Sequence, residues 1–190
     1  MSIRIEVSSQ DIIDKMGQAT IDVINAGITR SAGTISARLG ELLVNLIKQG
    51  RTYKSLVAGD LRYEFGFENG YAYVDPILET LKTSVEFRFE PFKYYRGKVT
   101  GNFSIVFLPE GIQKLLSSPT ASYSSNNGDV DWLEWILTKG DAIIIFDHHI
   151  VFDLTPAQAT YSRSGDALMF KGGNWRVPAV FSGVEGDNFL

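Results

Sequence analysis

The chain of 190 residues contains no cysteine and only two histidines. The missing cysteines exclude disulfide staples, thiolate zinc sites and a thiol nucleophile together, and they leave the fold indifferent to the redox state around it, which suits a cytoplasmic product. An excess of positive charge is also absent. Eighteen Lys and Arg stand against 22 Asp and Glu, a formal net charge of −4 with a pI near 5.2. Such a body repels nucleic acid phosphates and anionic membrane surfaces, so any contact with DNA has to be local. No apolar run approaches the roughly 20 residues of a membrane span. The opening MSIRIEVSSQD lacks the basic start and unbroken apolar stretch of a signal peptide, so a soluble chain not exported by that route is expected. There is no glycine-rich phosphate loop and no glycine-bracketed serine of the hydrolase elbow type. No catalytic residue, metal or cofactor is assigned, although carboxylate pairs that meet only in the fold stay open.

What is present reads as globular: 44% hydrophobic and 21% charged residues, in a length that fits one substantial domain over 1–190. From Asp11 to Gln49 the chain reads helical. Ile28, Ile35, Leu39, Leu42 and Leu46 fall on one stripe, and Ile12, Met16, Ala19 and Val23 give a similar one upstream. Ser9 is the expected cap, and Gly27 and Gly33 in AGITRSAG mark a candidate break into a helix pair. So long a stripe packs either on the chain's own sheet or partly on a neighbouring subunit. Residues 51–67 predict a second helical stretch carrying Leu56, Leu61 and Phe65 and stopped by Gly66, and VDPILETLK a further one with Asp75 as cap and Pro76 at its first position.

The period then changes. In SVEFRFEPF, Val85, Phe87 and Phe89 alternate with Glu86, Arg88 and Glu90, as in a half-buried strand, and NFSIVFLP is its natural partner. The connection 91–101 is too long for a tight turn and is read as a projecting hairpin loop, with Lys93, Arg96 and Lys98 interleaved with Phe92, Tyr94 and Tyr95. Such a mixture grips a protein partner or a phosphate backbone, or covers its own sheet edge. Residues 117–129 are a polar, low-complexity loop, after which Asp131 opens a helix with Trp132, Trp135 and Ile136 in the core and Gly140 at its end.

Both histidines lie in GDAIIIFDHHIVFD, residues 140–153. On a strand, His148 and His149 point to opposite faces and do not share one ion. The near mirror-image flanks AIIIF and IVF predict two short strands folding back through a turn at Asp147-His148, and the Gly pair of FKGGNW predicts another hairpin turn. Asp147-His148-His149 also resembles the signature of the metal-dependent phosphoesterases named for those three letters. That family implies further acidic ligands on earlier strands of a parallel sheet and a second domain downstream, whereas here the motif lies 43 residues from the end.

The ordered set YKSLVAGDLRYEFGF, DWLEWILTKGDAIIIFD, YSRSGDALMFKGGNWRVPAVFSG and DNF, about half of the chain, resembles the neck and tail-completion proteins of tailed bacteriophages, of the HK97 tail-completion type. The resemblance implies a helix leading into a β-hairpin over 132–147, further strands over 162–178, and an extra hairpin at 84–108 relative to a minimal member. It implies a structural virion protein and no enzyme: a homo-oligomeric ring, a hexamer for a tail terminator, placed at the head-tail junction after assembly in the host cytoplasm. Neighbouring neck proteins and the tail tube or sheath are its partners, DNA passes its lumen without specific binding, and no membrane is involved. A stopper or portal adaptor is the alternative within the class. The expected fold is α+β, a long N-terminal helix or helix pair before a mainly antiparallel sheet with short inserted helices. The expected contact residues are Phe92, Lys93, Tyr94, Tyr95, Arg96 and Lys98 of the loop and Trp175, Arg176, Pro178 and Phe181 of a C-terminal arm over 175–190.

Overall fold

In the computed structural model, which describes residues 8–125, 128–152, 161–162 and 167–184, the N-terminal stripe becomes a single helix, α1, Ser9–Gln49. At 1.5 Å per residue its 41 residues span about 60 Å. Its cap is Ser8, one residue before the expected Ser9, whose hydroxyl accepts from the Asp11 N–H. The break at Gly27 and Gly33 does not occur. Both glycines face open space, and a hairpin strapped along the helix holds it on either side of them, at Asn25 and at Ser36.

Residues 51–67 split into α2, Arg51–Ala58, and α3, Asp60–Phe65, around Gly59. The Ser55 hydroxyl accepts from the Leu61 N–H and so serves the start of α3, while Gly66, at φ 85°, ends it as expected. Helix α4, Gly70–Lys82, begins well before the expected cap Asp75. Asn69 caps it, and Pro76 lies inside it. Asp75 instead accepts a hydrogen bond from the Tyr53 hydroxyl at 3.1 Å and pairs with Lys48 at 3.6 Å.

The alternating segment forms a long antiparallel hairpin, β1 (Val85–Tyr95) and β2 (Lys98–Phe107), with a bulge on β1 between Glu90 and Lys93. The projecting loop expected over 91–101 is therefore mostly strand. The turn is Arg96-Gly97, both at positive φ (47° and 78°), the two-residue geometry that matches strand twist. Helix α5, Pro109–Leu116, follows, then the small hairpin β3 (Tyr123–Ser125) and β4 (Gly128–Val130). The segment 117–129 does reach the core: Ala121 is buried, and the Thr120 carbonyl accepts from the Trp132 indole at 2.7 Å.

Helix α6, Trp132–Thr138, leads to a three-stranded antiparallel sheet ordered β5-β7-β6, from β5 (Ile145–Val151), β6 (Tyr161–Ser162) and β7 (Leu168–Trp175), and the short α7, Ala179–Ser182, follows. The turn expected at Asp147-His148 is absent, because Ile145 to Val151 is one strand. Asp147, at φ 57°, and the pair Gly172-Gly173, at 96° and 73°, lie opposite each other between the pairs Phe146–Asn174 and His148–Lys171. The two expected turns are thus the two sides of one bulge, two residues against one.

One cluster unites Leu56, Val57, Leu61, Phe65 and Phe67 with Val74, Ile77 and Leu78 of α4, Trp132, Leu133 and Ile136 of α6, Trp175 at the end of β7 and Val177 just after it. Phe65 meets Trp175 edge-on at 5.6 Å and Phe67 meets Trp132 at 5.4 Å, geometries that favour aromatic pairs. The architecture is α+β as expected. The core gathers α2 to α4 and α6, while α1 and its hairpin extend from it.

Candidate subunit interface

The chain between Phe87 and Phe92 lies against α1 through its backbone as well as its side chains. Phe87 N–H donates to the Ser36 hydroxyl at 2.9 Å, and both backbone groups of Phe92 are held by Asn25. These β1 groups point away from β2, so α1 seals the outer edge of β1. The rings of Phe87, Phe89, Phe92 and Tyr94 share the face that α1 covers, and Gly17 leaves room for Tyr94, whose ring a Cβ there would strike. Of the six expected contact residues of this segment, Phe92 and Tyr94 are therefore holding the hairpin to its own helix.

The other four are exposed at the tip. Lys93, Tyr95, Arg96 and Lys98 project into solvent, with the Arg96 guanidinium over the Tyr95 ring at 5.1 Å. Among the described residues, no carboxylate stands within ion-pair distance of these three cations.

The expected C-terminal arm is laid on its own domain as far as Val184. Trp175 is buried, and its indole donates to Glu64 at 3.0 Å. Burial pushes the Glu64 carboxyl above its ordinary value, against the opposing pull of that hydrogen bond. Phe181 packs on the core and its carbonyl accepts from Thr52, while Ser182 donates to Gly140. Arg176 pairs with Asp141 at 3.8 Å, and Pro178 caps α7. Residues 185–190 lie outside the described ones. Of the ten expected contact residues, then, the structure brings Lys93, Tyr95, Arg96 and Lys98 together and leaves Trp175 inside.

Sequence reasoning missed two exposed surfaces. Toward the start of α1, apolar residues also face away from the hairpin: Ile12, Met16 and Val23 are 48%, 66% and 73% exposed. On β2, Val99, Phe103 and Ile105 are each more than half exposed although they lie on the face that α1 covers over β1. The signal was available in the stretch 99–107, which carries no charge and no proline.

A cavity of about 410 Å³ between α2, α4 and α6 is lined by apolar side chains with Thr52 and Tyr53, both already bonded. Burial, and next the bond to Asp75, push the Tyr53 hydroxyl up to about 12. His148 pairs in register with Lys171 and His149 with Phe170, on opposite faces of β5; the His149 ring lies 2.5 Å from the Gly172 carbonyl. Among the described residues no three acidic or imidazole side chains converge, and no helix is long and apolar enough to cross a membrane. No family model matches the chain, and neither a curated protein nor a solved structure matches it.

Proposed function

We propose that this protein is a structural neck component of a tailed phage, a terminator that forms a ring, a hexamer, between tail and head. A stopper or adaptor is the neighbouring assignment. The observation that carries a structural role is the uncovered apolar surface of α1, which a protein acting alone would hide. The phage assignment rests on the resemblance, and its segments are those that build one core: Tyr53 to Phe67, Trp132 to Ile136, and Trp175 with Val177. The hairpin 84–108, extra to a minimal member, would then be the part that addresses a neighbour through Lys93, Tyr95, Arg96 and Lys98. A net charge of −4 suits a lumen through which DNA slides without sticking.

The test is electron microscopy of purified particles carrying a gold-tagged antibody against this protein. Label at the head-tail junction supports the neck reading. Label at the distal tail end moves the protein to a baseplate. Absence from intact particles, with the epitope shown to be accessible, overturns the virion reading.

A further inference from the structure

The two edges of the β1–β2 hairpin are treated differently. On β1, Ser36 takes the Phe87 N–H and Asn25 both backbone groups of Phe92, whereas no hydrogen bond reaches the outer edge of β2 from any described residue. The direction of that edge follows from the register. Phe87 turns its N–H outward to Ser36, so its partner Ile105 also points its backbone away from β1, and Phe103, Gly101 and Val99 follow at alternate positions. Such an edge is a template for another strand unless a charge, a proline or a bulge blunts it. From Val99 to Ile105 there is no charge and no proline, and the bulge of this ladder has its extra residue on β1, opposite Gly101. The edge strand β5, in contrast, is kinked at Asp147, whose φ is 57°.

We propose that β2 pairs with β2 of a second copy of this chain, antiparallel and about a two-fold axis, joining the two hairpins into one four-stranded sheet. The occupant is a copy because the edge is self-complementary. The exposed run ends at Ile105, before the half-buried Val106 and Phe107, and its outward residues are symmetric about Asn102. Centring the axis there sets Val99 opposite Ile105 and Gly101 opposite Phe103, apolar against apolar with no charge to repel. The sealed edge of β1 offers no such site, so the contact is closed and isologous, and it stops at two.

The helix wheel adds to the surface. With Asn25 and Ser36 over the outer edge of β1, about 100° per residue turns Ile13, Ile24 and Leu42 toward the β2 side. They are 52%, 41% and 59% exposed. With Val99, Phe103 and Ile105 they make six exposed apolar side chains per copy, on the order of a few hundred Å² of apolar surface that a lone chain rarely leaves uncovered. The inference stands apart from the neck reading. A two-fold pair does not close a ring, so a ring would use other surface, such as Ile12, Met16 and Val23 on α1.

Sedimentation of the full chain tests it, with two edge variants. The wild type is expected at twice 21.1 kDa. Ile105→Pro removes an N–H that points away from β1, so the hairpin keeps its ladder while the dimer is lost. Phe103→Lys, at a residue 62% exposed, places a charge on the edge and also yields monomer. Should Ile105→Pro fail to fold by circular dichroism, Phe103→Lys decides alone. Since the chain has no cysteine, Asn102→Cys forms a disulfide only between copies, and Cα atoms about 4.5 Å apart across the axis allow one. A wild type that stays monomeric, a dimer that survives the folded edge variants, or an Asn102→Cys chain that does not cross-link under mild oxidation would each overturn the pairing.

Discussion

The carboxamide of Asn25 holds Phe92 by both backbone groups, its Nδ2 donating to the carbonyl and its Oδ1 accepting the N–H, each at 2.8 Å. One side chain thereby does for β1 what a third strand would do. It also pins α1 to the hairpin just before Gly27, and Ser36 does so again just after Gly33, so the weakest stretch of the helix is splinted from outside. The hairpin and the helix stabilise each other. A two-stranded ribbon is marginal alone, and a long helix with few buried residues depends on tertiary packing.

Asn25→Ala removes both bonds and exposes the β1 edge. We expect a loss of about 1–2 kcal/mol in denaturant unfolding. Amide exchange at Phe92 should accelerate while that in α6 stays slow. Unchanged protection at Phe92 would show that packing of Tyr94 on Gly17, and not the carboxamide, holds the strand.

The glycines of α1 divide by what a Cβ would meet. Gly27 and Gly33 face open space, so alanine at either should raise stability by about 0.5–1 kcal/mol through helix propensity. Gly40 lies against the Lys82 carbonyl of α4, a backbone atom that cannot step aside, so Gly40→Ala should lower stability despite the same gain in propensity. Thermal midpoints of the three variants test this, and a rise in all three would mean that α1 and α4 separate at no cost.

Much of this was readable in the residues. The period of 3.6 gave α1 and the period of 2 gave β1, because each had to bury one face. What was hidden depended on partners distant in sequence. The near mirror symmetry about Asp147-His148 imitates a hairpin, yet the strand that pairs there is β7, and only the pairing shows that Asp147 and Gly172-Gly173 form one bulge. Trp175 read as a contact residue of a C-terminal arm, since nothing local announces that Glu64, 111 residues earlier, accepts its indole proton. For α4, the Asp75-Pro76 pair imitates a helix start, whereas the helix begins at Gly70 under the Asn69 cap and carries Pro76 inside it.

Glu64 gives the fold a pH dependence with a definite sign. Its carboxyl is raised above the ordinary value of 4.5, first by burial, so the folded state binds its proton more tightly than the unfolded chain does. That contribution to stability is fully present below the unfolded value and is lost as pH rises through the folded one. Glu64→Gln keeps an oxygen for the Trp175 indole and removes the charge. Urea midpoints measured from pH 4 to pH 7 should therefore fall less with pH in Glu64→Gln than in the wild type. Parallel curves would mean that water reaches the carboxylate and no burial penalty exists.

Arg96 occupies the first position of a two-residue turn at φ 47°, where asparagine or glycine fits better, and its guanidinium lies over the Tyr95 ring in solvent. A residue that strains its turn, and whose side chain makes no ion pair among the described residues, is placed there at some cost to the hairpin, which marks that side chain as the useful part. Arg96→Asn separates the two roles. We expect the hairpin to gain about 0.5 kcal/mol or more from relief of the left-handed strain, seen as a higher thermal midpoint. Under the proposed neck role, the variant is also expected to bind its neighbour less well, read as fewer joined heads and tails when added to particles lacking the protein. A stabilised variant that joins them as efficiently as the wild type would remove the tip cation from the interface and leave the uncovered face of α1 to make the contact.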